Sequence, residues 1–112
     1  MARILILEPH PELRELFSLV TRRLGHEPVV PNGRPPEEYT DLDVVLVEPA
    51  GQRGLAVAEL LRERSPETRV VCASVLPASE AAGALDPVAY LVKPFSLAEL
   101  EQALTAAAGA GA

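Results

Sequence analysis

The 112-residue sequence has the size and the apolar content, 48%, of one globular domain. Its formal net charge of −6 argues against non-specific binding to nucleic acid or to anionic membranes, because both require a basic surface. A single cysteine, Cys72, excludes an internal disulfide, and its apolar surroundings predict a small core residue rather than a nucleophile.

No apolar run approaches the roughly 20 residues that a membrane-spanning helix requires. The first ten residues lack the extended apolar region and the small-residue cleavage site of a signal peptide. We therefore expect a cytoplasmic protein without a membrane partner.

Short apolar runs and helical patterns alternate along the first half of the chain. Residues 3–7 predict a buried strand, and residues 10–25 predict a helix that Gly25 ends. Residues 26–31 predict a short edge strand because prolines interrupt it. Residues 32–42 predict a loop with at most two helical turns, and residues 43–47 predict a fully buried strand.

The second half repeats this alternation. Ser96 and Glu99 have the spacing of a capping box, which predicts that the last helix begins at this point. The predicted elements are a loop at 50–54, a helix at 55–65, a strand at 68–74, a short helix at 77–85, a strand at 88–92 and a helix at 96–108.

Five strand–helix units in succession predict a parallel sheet with helices on both faces. In such sheets functional residues gather at the carboxyl ends of the strands. Polar residues follow four of the predicted strands: Glu8, Glu48, Ser74 and Lys93, the last being the only lysine in the chain.

The four rim residues suggest an acidic pocket that a lysine neutralises. If the first and third strands are neighbours, Glu8 and Glu48 lie side by side, and both stay ionised only beside a cation. Lys93 can be that cation, with an attraction of roughly 4 kcal/mol at about 4 Å before desolvation. A single polar residue after a strand is ordinary, so the interpretation depends on the combination.

Four segments in order resemble the receiver domain of two-component response regulators: ILILEPHPELREL, DLDVVLVEPAGQRG, VVCAS and AYLVKPFSLAEL. The resemblance implies an α/β fold, a flavodoxin-like (βα)5 three-layer sandwich with strand order 2-1-3-4-5. It implies a receiver-like domain over residues 1–107, a tail or linker start at 108–112 and a cis bond between Lys93 and Pro94. The second and fourth helices must be shorter than the family's usual pattern.

Two departures from the family bear on phosphorylation. Receivers use a pair of acidic residues and a phosphoacceptor Asp to bind Mg²⁺, but here Pro9 replaces one acid and Glu48 stands at the phosphoacceptor position. Glu reaches about 1.5 Å farther than Asp, and phosphoryl transfer depends on alignment. We therefore expect no phosphorylation and no cofactor, with weak Mg²⁺ binding left open. His10 is a substitute ligand or, as we favour, a solvent-facing residue.

Other positions keep the family's pattern, namely Ser74, Tyr90, Lys93 and Pro94. In receivers the hydroxyl and the lysine contact the phosphoryl group, and the aromatic residue then moves inward. Glu48, which is longer and always negative, could reach Lys93 or Ser74 and imitate part of the phosphorylated state. Tyr90 is then a switch residue or simply a half-buried strand aromatic.

The sequence thus predicts a pseudo-receiver, not an enzyme, which acts as a protein-interaction module with a histidine kinase or an output protein as partner. Homodimerisation would use the fourth helix, fifth strand and last helix, and the shortened fourth helix puts the standard mode in question. One alternative is a receiver that forms an acyl phosphate on Glu48. Another is a flavin- or nucleotide-binding protein, but EPHPEL offers no phosphate-binding loop.

Overall fold

The computed structural model describes residues 1–109, except for the side chains at positions 37, 52 and 81. Within this part the chain forms five strands and four α-helices. They are β1 (Arg3–Leu7), α1 (Pro11–Arg23), β2 (Glu27–Val29), β3 (Val44–Val47), α2 (Gln52–Arg64), β4 (Arg69–Ser74), α3 (Glu80–Gly83), β5 (Ala89–Val92) and α4 (Leu97–Gly109). None of these helices is long and apolar enough to cross a membrane.

The strands form one parallel sheet in the order β2-β1-β3-β4-β5, which confirms the fold prediction. The register aligns the ends of the central strands, because Leu7 pairs with Val47 and Val47 pairs with Cys72. The residues that follow β1 and β3 therefore leave the sheet side by side.

Alternating side chains of the strands fill two apolar layers, one on each face of the sheet. Each large side chain that is fully buried contributes roughly 1.5–3 kcal/mol to folding. The layer beneath α1 and α4 includes Ile4, Ile6, Phe17, Leu100 and Leu104. The layer beneath α2 includes Leu5, Val45, Val57, Ala58 and Leu61.

The boundaries of α1 and α4 follow the capping signals in the sequence. Gly25 lies just beyond α1 with φ of +86°, a conformation that glycine adopts without strain. At the start of α4 the Glu99 N–H donates to Ser96 Oγ at 3.1 Å, and the Ser96 N–H donates to Glu99 Oε1 at 3.4 Å. The predicted capping box is therefore present.

Two helices are short, as expected. The crossover from β2 to β3 contains only a 3₁₀ turn at Pro36–Glu38, and α3 has four residues. Prolines cannot supply the N–H groups of a longer helix in the first case. At the start of α3, Ser79 caps the helix by accepting a hydrogen bond from the Ala82 N–H at 3.2 Å.

One prediction about the helices was wrong. Residues 50–54 are not all loop, because α2 begins at Gln52. A Cβ atom at Gly54 would lie 3.1 Å from the Glu48 carbonyl, so this glycine allows α2 to start against the end of β3.

The predicted domain end at 107 and the tail or linker start at 108–112 lie partly outside the described residues. Helix α4 continues through Gly109, so it includes the first two residues of the segment that we predicted to be a tail. Residues 110–112 are outside the part of the chain that the structure describes.

Candidate functional site

The predicted rim residues are held by backbone hydrogen bonds at the carboxyl ends of the strands. The Glu48 N–H donates to the Leu7 carbonyl at 3.1 Å, which continues the pairing of β1 and β3. The Lys93 N–H donates to the Ser74 carbonyl at 2.7 Å, which does the same for β4 and β5. The side chains of Glu48 and Lys93 therefore start from fixed backbone positions.

The structure brings Glu8, Glu48 and Lys93 together. Lys93 Nζ lies 2.7 Å from Glu8 Oε1 and 3.0 Å from Glu48 Oε2. Only 13% of the lysine side chain is exposed, against 3% and 6% for the two glutamates. The single ammonium thus bridges two buried carboxylates, and this trio is called the acid–lysine cluster below.

A repeated local motif fixes the two carboxylates. Glu8 and Glu48 each precede a proline, and each side chain accepts a hydrogen bond from the backbone N–H two residues later. The His10 N–H donates to Glu8 Oε2 at 3.1 Å, and the Ala50 N–H donates to Glu48 Oε1 at 2.9 Å. Because the intervening prolines have no N–H, these are the first backbone donors that follow each glutamate. Sequence reasoning missed this role, although the two Glu-Pro pairs were a visible signal.

The charges of the cluster stabilise one another. Burial raises the pKa of Glu48, but hydrogen bonds from Ser74, the Ala50 N–H and Lys93 together bring it below its ordinary value. Burial lowers the pKa of Lys93, but its hydrogen bonds and attraction to Glu8 and Glu48 together raise it above its ordinary value. At neutral pH, Glu48 is therefore a carboxylate and Lys93 an ammonium.

Ser74 connects this cluster to Tyr90. Ser74 is buried, its hydroxyl helps to lower the pKa of the Glu48 carboxylate, and its Oγ accepts a hydrogen bond from the Leu76 N–H at 3.1 Å. The Tyr90 hydroxyl donates to the Leu76 carbonyl at 2.9 Å, and its ring packs on the core beneath α2. The backbone of Leu76 therefore connects the two residues, because its N–H bonds Ser74 and its carbonyl bonds Tyr90. The sequence did not reveal this connection.

Two further residues, Pro94 and Cys72, have clear positions. The Lys93–Pro94 peptide bond is cis, as the resemblance implied. Cys72 is fully buried in β4, and burial together with the nearby Glu48 charge raises the pKa of its thiol to about 11. A thiol in this state is a poor nucleophile at neutral pH, so Cys72 is a core residue.

The donor set does not fit Mg²⁺. All four carboxylate oxygens of Glu8 and Glu48 have hydrogen-bond partners. The Lys93 ammonium donates to one oxygen of each residue, and a backbone N–H donates to the other. Among the described residues, no group of three or more His, Cys, Asp and Glu side chains could hold a metal ion. His10 adds no ligand, because it is exposed and contacts Glu8 only through its backbone N–H.

No protein-family model matches the sequence, and no curated protein matches it. Solved structures do match. The receiver domain of Francisella response regulator 1452 is 19% identical, with a TM-score of 0.80 over 100% of both chains. A signal receiver domain from Clostridium thermocellum is 16% identical, with a TM-score of 0.81 over 96% of this chain and 98% of that one.

A third similar structure is the response regulator TrrA from Thermotoga maritima, which is 24% identical. Its TM-score is 0.78 over 96% of this chain and 99% of that one. The chain therefore has the flavodoxin-like fold of response-regulator receiver domains.

Proposed function

We propose that this protein is a receiver-like module of two-component signalling that takes no phosphoryl group and acts by binding a protein partner in the cytoplasm. The fold supports a role in two-component signalling, and the site supports the proposal that no phosphoryl group is taken. The observation that carries the proposal is the acid–lysine cluster, in which Lys93 and two backbone N–H groups occupy every oxygen of Glu8 and Glu48.

An active receiver needs free carboxylate oxygens for Mg²⁺, with near-ideal octahedral geometry at about 2.0–2.1 Å. In this chain Pro9 removes one candidate ligand, and the ammonium of Lys93 lies between the remaining two carboxylates. A divalent ion would have to displace an ammonium held by two short hydrogen bonds. The cluster thus favours a stable ion network over a phosphorylation site.

Glu48 also supports a permanently active-like arrangement. Its carboxylate contacts Lys93, and the Ser74 hydroxyl lowers its pKa; these are the residue types that contact the phosphoryl group in receivers. Ser74 then bonds the Leu76 N–H while Tyr90 bonds the Leu76 carbonyl. We propose that the negative charge of Glu48 replaces that of a phosphoryl group in holding Tyr90 against this loop.

The partner surface that we propose lies beside Tyr90. Of the nine large apolar side chains that are exposed in the described residues, five lie in or next to β4, β5 and α4. They are Val75, Val88 and Val92, together with Leu76 and Leu97. Exposed apolar groups gathered in one region of a fold are typical of protein-binding surfaces. A kinase, an output protein or a second copy of the chain would bury them.

Direct mass measurement separates this proposal from its rival, an acyl phosphate on Glu48. The structure of TrrA is of a complex with Mg²⁺-BeF, so a similar fold does hold such a group in that protein. We expect no stoichiometric gain of about 80 Da, the mass of one HPO₃ group, after incubation with Mg²⁺ and acetyl phosphate. An adduct that Glu48→Gln abolishes would establish the rival instead.

A double variant serves as the positive control. Pro9→Asp with Glu48→Asp restores an acidic pair and a shorter acceptor, so we expect it to gain the adduct that the native protein lacks. Circular dichroism would verify that the variant is folded. If the folded variant also stays unlabelled, then Pro9 and Glu48 are not the reason for the missing activity.

A further inference from the structure

A cavity of about 450 Å³ opens beside the acid–lysine cluster. It lies between the turn after β1, the start of α2 and the proline-rich crossover that contains the 3₁₀ turn. A full helix in that crossover would lie against the sheet, whereas the short turn leaves room. The volume is within the range of about 300–1,000 Å³ that is typical of small-molecule sites.

The cavity lining is mainly apolar but includes three arginines. Leu7, Pro31, Pro36 and Val57 are among its apolar residues, and the cations are Arg14, Arg34 and Arg53. Binding sites for small molecules commonly combine apolar walls with a few polar groups that orient the ligand. Arginine provides a planar fork that matches a carboxylate.

The charge around the cavity is opposite to that of the whole protein. The chain has a formal charge of −6, yet three of its arginines line this one cavity. In the part of the chain that the structure describes, none of the three forms an ion pair with a carboxylate. The two glutamates at the cavity, Glu8 and Glu48, already pair with Lys93.

Two of the arginines are held in place before any ligand binds. Arg34 lies over the Tyr39 ring, with its guanidinium carbon 5.7 Å from the ring centroid. Arg14 Nη1 donates to the Glu8 carbonyl at 3.4 Å. Proline-rich backbone also restricts the crossover, so binding requires less ordering of the wall.

We propose that this cavity binds a small organic carboxylate with an apolar body, which gives the protein a ligand input. The carboxylate pairs with the arginines, and the apolar body contacts the proline-lined wall. The site extends beyond the receiver-like role proposed above. The proposed ligand binding does not depend on whether Glu48 accepts a phosphoryl group.

NMR spectroscopy of the ¹⁵N-labelled protein tests this with 1-naphthoate as the probe. Gly33, Gly51 and Gly54 line the cavity, so their amide signals should shift saturably at millimolar probe concentration. Gly83 does not line it and should not respond. The neutral analogue 1-naphthalenemethanol lacks the charge, and inorganic phosphate lacks the apolar body. Each should bind at least about tenfold more weakly than 1-naphthoate.

Matched charge variants complete the experiment. Arg34→Gln with Arg53→Gln should weaken 1-naphthoate binding by at least about tenfold. Arg22→Gln with Arg23→Gln removes the same charge from exposed positions at the end of α1 and should leave binding unchanged. Dispersed amide signals would show that each variant is folded. Unchanged affinity in the first variant, equal shifts at Gly83, or no shifts at all would overturn the proposal.

Discussion

Two ion-pair regions lie at opposite ends of the sheet and differ mainly in burial. At the carboxyl ends of the strands, Lys93 bridges Glu8 and Glu48 at 2.7 and 3.0 Å. At the amino ends, Arg3 Nε lies 2.8 Å from Glu27 Oε2. The exposed fractions of that second pair are 34% and 49%, against 13% or less in the acid–lysine cluster.

The comparison teaches that distance alone does not determine the energetic importance of an ion pair. Exposed pairs contribute about 0–1 kcal/mol, because water screens the charges and two long side chains lose freedom. A buried pair gains little net stability by forming, but removing one member leaves an uncompensated charge. The buried cluster should therefore be sensitive to substitution and the exposed pair tolerant of it.

The largest effect is expected from Lys93→Met, which leaves two buried carboxylates without their cation. We expect the free energy of unfolding to fall by about 3–5 kcal/mol at neutral pH, measured by urea denaturation. Adding Glu8→Gln and Glu48→Gln to the same variant should restore most of the loss, because no buried charge remains. A loss below about 1 kcal/mol for Lys93→Met would show that the cluster behaves like a surface pair.

An intermediate and pH-dependent effect is expected from Glu48→Gln. This change should cost about 1–3 kcal/mol at pH 7, since a buried charge-assisted hydrogen bond to Lys93 is lost. The folded-state pKa of Glu48 is lowered, so its contribution is present above the ordinary value near 4.5 and disappears as the pH falls through the folded value.

Urea denaturation at pH 7 and at about pH 3 measures this prediction, and the gap between native and variant should narrow at the lower pH. The pKa of Lys93 is raised, so its contribution is present below the ordinary value near 10.5 and is lost only as the pH rises through the folded value. The change in the free energy of unfolding between pH 7 and about pH 3 therefore does not come from Lys93. A gap that is independent of pH would contradict the assignment to Glu48.

The smallest effect is expected from Glu27→Gln at the amino ends of the strands. Loss of the exposed pair with Arg3 should change the free energy of unfolding by about 0–1 kcal/mol, and about 1 M salt should reduce the difference further. A loss as large as that of Lys93→Met would remove the contrast between the two regions.

Much of the fold could be predicted because its strands are short, apolar and buried, so few alternatives exist for them. The convergence of Glu8, Glu48 and Lys93 also followed from parallel topology, which aligns the carboxyl ends of neighbouring strands. The start of α2 could not be predicted in this way. Gly54 has low helix propensity, and its value lies in the close approach of α2 to β3, a tertiary contact.

The details that the sequence could not supply are those that depend on packing between distant segments. The bond between Tyr90 and Leu76 joins β5 to the loop that follows β4, and no local pattern specifies it. The cavity likewise results from how the crossover around Pro36 lies against α2, which spacing does not encode. A functional interpretation of such features therefore requires a three-dimensional structure.

The position of the only lysine has a practical consequence for chemical labelling. Amine-reactive esters attack only the uncharged amine, and Lys93 is both enclosed and held as an ammonium by two acids. Slow acylation of Lys93 would then report how often the carboxyl-end rim opens, without any engineered label.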